Sequence, residues 1–296
     1  MIEKINRQIE IEMVTIEELV SNEHMLRKID KYIDFSFIYD KVAPYYCLNN
    51  GRPGIDPVRF FKMLLIGYLY GIKSERRLVE EISHNIAYRW FLGYKLTDPI
   101  PHHSVFSKNR QRRYKDSTIF QEIFEDLVFM AMEENMLNGK VLYTDSTHIK
   151  SNANNKKFRN IEVPTTPQDY VDELNEAVNQ DRIEHDKKPL PKAEVKEETK
   201  TIKESTTDPD SGYMNRDRKP QGFYFLDHRT TDSLYNMITD IYITPGNVSD
   251  NTCYIDRLKY QINRFGFDVE AVGLDSGYNT AFICKELYDL GIFAAI

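Results

Sequence analysis

The sequence predicts an α/β chain in two parts, an all-helical domain over residues 1–137 and a mixed-sheet domain over 138–296. Three observations predict this. Helix caps and terminators recur through the first 135 residues around apolar stretches. At Gly139 the pattern changes to short apolar runs separated by polar turns. From there the order reads strand, strand, strand, helix, strand, helix, strand.

In the helical part, Thr15 and Glu18 form a capping box that opens a short helix. Asp56 is an N-cap with Pro57 at the first helical position, and Gly71 closes the helix they open. Ser74 caps the next helix, and Gly93 ends the one after it. His103-Ser104 starts a basic helix, and Thr118 with Gln121 caps the last. Ile119, Ile123, Phe124, Leu127 and Met130 place one face of that last helix in a core.

In the second part, KVLYTDST is a short strand ending in a polar turn. Phe223 and Phe225, then Ile238, Ile241 and Ile243, mark two antiparallel strands joined near Thr231-Asp232. Asp250 caps the helix that follows. VEAVGLD is the fourth strand, a helix runs from Asn279 through Leu290, and Gly291 ends it. IFAAI opens a fifth strand and breaks off without a polar exit, which predicts a longer parent protein.

Composition excludes several classes. With 41% hydrophobic and 12% aromatic residues among 296 there is ample material for a core, and 13 Gly and 12 Pro exclude collagen-like and wholly disordered chains. No apolar run reaches the roughly eighteen residues that a membrane span needs. Cys47, Cys253 and Cys284 are far apart without CxxC spacing, which argues against a disulfide scaffold or zinc ribbon and suits a reducing cytoplasm.

The net charge of -7 by itself argues against a nucleic-acid partner, but its distribution reverses that reading. Residues 168–206 hold eleven acids against seven bases, a net of -4, and Pro189 and Pro191 separate two helix-favouring runs. This predicts an exposed, partly helical hairpin inserted at about 155–215; a solvated linker is the alternative. Residues 101–115 carry Lys108, Arg110, Arg112, Arg113 and Lys115 and no acid, which suits phosphate contacts. Residues 71–73 have the length of a helix-turn-helix connection. That would make Ser74–Asn85 a recognition helix with Lys73, Arg76 and Arg77 near its N-terminus.

Two carboxylates stand at predicted strand ends, Asp145 in VLYTDSTHIKSNAN and Asp275 in VEAVGLDSGYNT. If the first and fourth strands are parallel neighbours, the two come close and need a cation or a shared proton. Hard oxygen ligands suit Mg²⁺ or Mn²⁺, and a two-metal site suits phosphodiester chemistry. Ser146 and Ser276 leave room beside them. His148 suits Mg²⁺ poorly and reads as a polar loop residue. His102 and His103 form no ligand set with a cysteine, and Asn152 and Asn154 read as loop residues that could reach DNA. Trp90 reads as core, and Tyr278 as packing or as a neighbour of the scissile phosphate.

Four ordered blocks resemble the bacterial insertion-sequence DDE transposases, whose catalytic core is RNase H-like. They are GRPGIDPVRFFKMLLIGYLYGIKSERRLVEEISHNIAYRWFLG, PIPHHSVFSKNRQRR, VLYTDSTHIKSNAN, and YITPGNVSDNT with AVGLDSGYNT. The resemblance covers about residues 30–296. It implies an RNase H-like second domain, incomplete at its C-terminal side, with Asp145 and Asp275 as the first two metal-binding acids. The third, a Glu, would lie beyond Ile296, since Glu286 follows Asp275 too closely. It further implies DNA partners at terminal inverted repeats and target sites, a homo-oligomer on DNA, hydrolysis and strand transfer, and no membrane. Two other readings follow from the missing acid: a non-catalytic DNA-binding fragment that competes with the full enzyme, and an RNase H-like nuclease without transposition.

Overall fold

The computed structural model describes residues 13–47, 54–164, 178–179, 182–183, 185, 187–188, 199–215 and 221–296. The chain divides into two compact units, 1–127 and 128–296. Among the described residues, no helix is long and apolar enough to cross a membrane.

The first unit is helical, as its caps predict. Thr15 and Glu18 close their box around α1 (Ile16–Leu19), and α2 (Met25–Tyr32) and α3 (Phe37–Val42) follow. Asp56 accepts from Arg59 N at 2.9 Å to open α4 (Pro57–Leu69), and Gly71 leaves it at φ 64°. Ser74 caps α5 (Glu75–His84), Asn85 caps α6 (Ile86–Phe91), and Gly93 at φ 67° ends α6. Helical spacing puts Phe60, Met63 and Ile66 of α4 in the core with Leu78 and Ile82 of α5. Trp90 packs against this core with Arg27 stacked on its ring at 4.4 Å.

The basic helix is shorter than expected. α7 covers Ser104–Lys108 only, and Asn109–Arg113 is a π-helical turn. Buried Asn109 causes the change. Its amide donates to Val105 O at 2.8 Å, and its carbonyl takes Tyr114 N at 2.9 Å across five residues. The last helix, α8 (Ile119–Glu133), also departs at its start. Thr118 donates to Glu122 while the Gln121 amide goes to Glu125 at 3.0 Å, so the pair does not form the expected cap.

The second unit is built on one eight-stranded sheet. Its strands are β1 (Val141–Lys150), β2 (Phe158–Pro164), β3 (Thr199–Ser205), β4 (Gly212–Met214), β5 (Gly222–Asp232), β6 (Ile238–Pro245), β7 (Ala271–Leu274) and β8 (Phe293–Ala295). The order is β2-β3-β4-β5-β1-β7-β8, and β6 shares the β4 edge of β5. Hence β6-β5-β1-β7-β8 forms a core of three antiparallel strands followed by two parallel ones, the mixed sheet that the RNase H-like resemblance implies. The helices α9 (Tyr254–Phe265) and α10 (Ala281–Asp289) follow β6 and β7 in the chain.

Three expectations are corrected here. The first strand does not end at a polar turn after Asp145. β5 pairs with β1 from Leu142 through Lys150, so the backbone stays in the ladder and His148 is a strand residue, not a loop residue. The insertion is helical at its described residues 178–179 and 182–183, as expected, but strands that the charge pattern did not suggest stand at its described ends. Alternation in FRNIEVP and TKTIKES pairs Ile161 with Ile202 and sets Arg159 against Glu204 in an ion pair. Most of the charged stretch 168–206 lies outside the described residues. Finally, Asp250 is not a helix cap; α9 begins four residues later, after Cys253.

One buried side chain ties the start of β1 to the β5–β6 turn. Asp232 is fully buried, and its Oδ2 accepts from Gly139 N at 2.8 Å and Asn138 N at 3.2 Å, while Oδ1 accepts from Leu234 N at 2.8 Å. Gly139 must be glycine, because it has φ 67° and a Cβ there would lie 2.3 Å from the Phe267 ring. Asp232→Ala strands three backbone donors, so its urea unfolding free energy should fall by about 3 kcal/mol. A loss under about 1 kcal/mol would remove the clamp from this account.

Candidate active site and nucleic-acid interface

β1 and β7 are parallel neighbours, with Val141 opposite Ala271 and Thr144 opposite Leu274. Asp145 and Asp275 are the residues that follow the last pair of that register, with Asp275 just beyond the end of β7. Beyond Leu274, β7 turns into a short 3-10 helix, Ser276–Tyr278, while β1 runs on beside β5 alone. Asp145 is thus not at a strand end but where the parallel ladder opens. Both carboxylates are exposed. Each gives one oxygen to the local backbone: Asp145 Oδ1 accepts from Ser146 N at 2.7 Å, and Asp275 Oδ1 from Gly277 N at 2.9 Å.

The approach of the two strands needs a residue without a side chain. Tyr143, on the same face as Asp145, lies across Gly273, where an added Cβ would sit 2.5 Å from the Tyr143 ring. Beneath the pair lies Tyr278, only 1% exposed. Burial raises its pKa above the ordinary phenol value; the nearby Ser146 hydroxyl lowers it, and Asp250, Asp145 and Asp275 raise it further. Asp250 therefore joins the surroundings of the pair, with its Oδ2 3.6 Å from where a Gly277 Cβ would sit. Sequence reading assigned Asp250 to a cap. The signal that could have found it is its place in the loop that follows β6, the same strand-exit logic that singled out Asp275.

Polar contacts fix this corner of the sheet. Thr144 and Thr230 share a hydrogen bond at 2.9 Å, Gln261 donates to Thr230 at 3.3 Å, and Thr239 donates to Gln261 at 2.8 Å. Arg257 of α9 forks onto buried Asp240 of β6 at 2.5 and 2.9 Å. Burial holds the His228 pKa below its ordinary value, although Asp250, Asp227 and Asp240 pull it upward. His148 stands three residues from Asp145, on the opposite strand face, and packs against Tyr224. Glu286 is held by Lys259 at 2.6 Å. Among the described residues, no three His, Cys, Asp or Glu side chains form a set able to hold a metal ion. The acid pair offers two hard oxygen ligands, which fits a hydrated divalent cation but does not enclose one.

In the helical unit the two basic segments meet. Arg110 pairs with Glu75, and the charge on Arg76 is felt by His103. Lys73, Glu75 and Arg110 line one cleft between α4, α5 and α7. Lys73, Arg76, Arg77, Lys108, Arg110, Arg112 and Lys115 are exposed. Arg77 also reaches Glu81 at 3.3 Å. Arg113 is different: it stacks on Tyr46 at 4.1 Å and bonds Asn109 at 2.6 Å, so it serves packing first.

Gly273→Ala should lower stability by about 1–3 kcal/mol through the clash with Tyr143. The same change in a Tyr143→Ala background should cost much less; equal losses in both backgrounds would show that the ring crossing does not set the strand approach.

Residues 14–112 match the family model described as "Transposase domain (DUF772)". Comparison with curated proteins gives no match. Among solved structures, the Mos1 transposase paired-end complex with left transposon end overlaps at TM-score 0.26 and 12% identity, over 94% of this chain and 69% of that chain. The Mos1 mariner paired end complex with Mn gives 0.25 and 12%, over 94% and 70%, and the pre-cleavage Mos1 transpososome gives 0.26 and 10%, over 94% and 70%. Overlaps at this level carry no weight beside the strand order already described. The family match over residues 14–112 agrees with the transposase resemblance of that part of the chain.

Proposed function

We propose that this chain acts in DNA transposition, with Asp145 and Asp275 as the acid pair of a metal-dependent phosphodiester site. The observation that supports this most is the register of β1 on β7, which sets the two carboxylates side by side where the ladder opens. Asp145 and Asp275 would hold Mg²⁺ or Mn²⁺, and such a two-metal centre would supply the Lewis acidity that phosphodiester hydrolysis and strand transfer need. Asp145 and Asp275 each contribute a carboxylate oxygen, and the backbone N–H groups of Ser146 and Gly277 orient them.

DNA is the partner, in the form of transposon ends and target, and a homo-oligomer assembled on DNA is part of the proposal. The cleft lined by Lys73 and Arg110, with exposed Arg76, Arg77, Lys108, Arg112 and Lys115, supplies phosphate contacts in the helical unit. Free Cys47, Cys253 and Cys284 suit work in the cytoplasm.

Asp145→Asn and Asp275→Asn should each lower Mn²⁺-dependent cleavage of end DNA by about 10³-fold, with end binding retained. Cleavage within tenfold of wild type in either variant rules out the acid pair. Lys108→Ala and Arg112→Ala should weaken binding of all duplexes alike and each reduce the slope of log affinity against log salt by about 1. An unchanged slope removes that residue from the phosphate contacts.

A further inference from the structure

We propose that Asp250 is a positioning residue for the Asp145–Asp275 pair, acting through a single water that it shares with the Tyr254 and Tyr278 phenols. The role rests on the reading of that pair as a metal-binding site.

Four buried oxygens of the described residues lack a hydrogen-bond partner, and three of them, Asp250 Oδ1, Tyr254 Oη and Tyr278 Oη, belong to residues that share one cavity; the fourth is Asp227 Oδ1. Tyr254 and Tyr278 are 3% and 1% exposed, and their rings meet edge to face at 5.3 Å. All three residues line one small cavity, with Thr144, His228, Thr230, Asp240, Cys253 and Arg257 on its other walls. Leaving such groups unmet costs about 1–3 kcal/mol each. Their chemistry is complementary. The carboxylate only accepts, and each phenol can donate. One water accepts from both phenols, donates to Asp250 Oδ1, and keeps a proton for a threonine hydroxyl.

This water would brace the acid pair from below. Tyr278 closes the turn that begins at Asp275, and its phenol lies beside Ser146, the residue after Asp145. The other oxygen of Asp250 faces the same turn from the side. A Cβ on Gly277 would lie 3.6 Å from Asp250 Oδ2 and 3.0 Å from Asp275 Oδ1. Asp250 therefore lies beside the Asp275 turn and reaches its closing tyrosine through water. Outer-shell groups of this kind tune metal affinity about 10–100-fold.

The test uses the full chain and Mn²⁺ alone, with free Mn²⁺ read by electron paramagnetic resonance and folding read by thermal melting. Asp250→Asn and Tyr278→Phe should each weaken Mn²⁺ binding about tenfold while still melting cooperatively. The double variant should lose little more than either single one, because both act through the same water. Tyr278→Phe removes one oxygen and keeps the ring, so it decides the matter if Asp250→Asn does not fold. A high-resolution crystal structure should show the water within hydrogen-bond distance of Asp250 and both phenols. Wild-type protein that takes up no Mn²⁺ overturns the metal reading and this role together. Uptake that is lost in Asp145→Asn but unchanged in Asp250→Asn and Tyr278→Phe overturns this role alone. So do additive losses or a dry cavity.

Discussion

The parallel pairing of β1 with β7 is only four residues long, yet the acid pair depends on it. A strand register has a period of two residues, so a slip of one would turn either Asp145 or Asp275 to the opposite face. Several features hold the register in place. Asp232 clamps the chain entering β1 through the N–H groups of Asn138 and Gly139 and its own turn through that of Leu234, and Gly139 allows the close turn beside Phe267. Gly273 lets the Tyr143 ring cross β7. On the far side, β5 pairs with nearly all of β1 and keeps it straight past the point where β7 leaves.

Behind this ladder the sheet is tied together by polar groups as well as by apolar packing. The Thr144–Thr230–Gln261–Thr239 chain links β1, β5, β6 and α9, and the Arg257–Asp240 fork repeats the link between β6 and α9. Buried hydrogen-bonded groups of this kind stabilise one arrangement over others, because any shift leaves donors or acceptors unmet. The result is a rigid floor under a site whose two carboxylates stay open to solvent.

Much of the helical unit was legible because its signals are local. The Thr15–Glu18 box, the Asp56-Pro57 start, the Ser74 cap and the Gly71 and Gly93 stops each act within a few residues. The basic run was legible as charge but not as shape. Buried Asn109 converts its second half into a π-helical turn, and Arg113 turns inward to Tyr46. In the sheet unit, alternation located the main strands. The same alternation in FRNIEVP and TKTIKES was hidden by the charge of the stretch around it, so these strands went unread.

By itself, the sequence determined the two-part α/β order, the acids that leave strands, and the basic segment, because caps, periodicity and charge are properties of neighbouring residues. The tertiary structure decided what those acids meet. That β7 lies parallel to β1 in the register that aligns Asp145 with Asp275, and that Asp250 leaves its apparent cap position to face Gly277 and the Tyr278 phenol, are long-range facts. They follow from burial and backbone pairing between segments more than a hundred residues apart in the one case and about 27 in the other, distances over which local sequence signals carry no information.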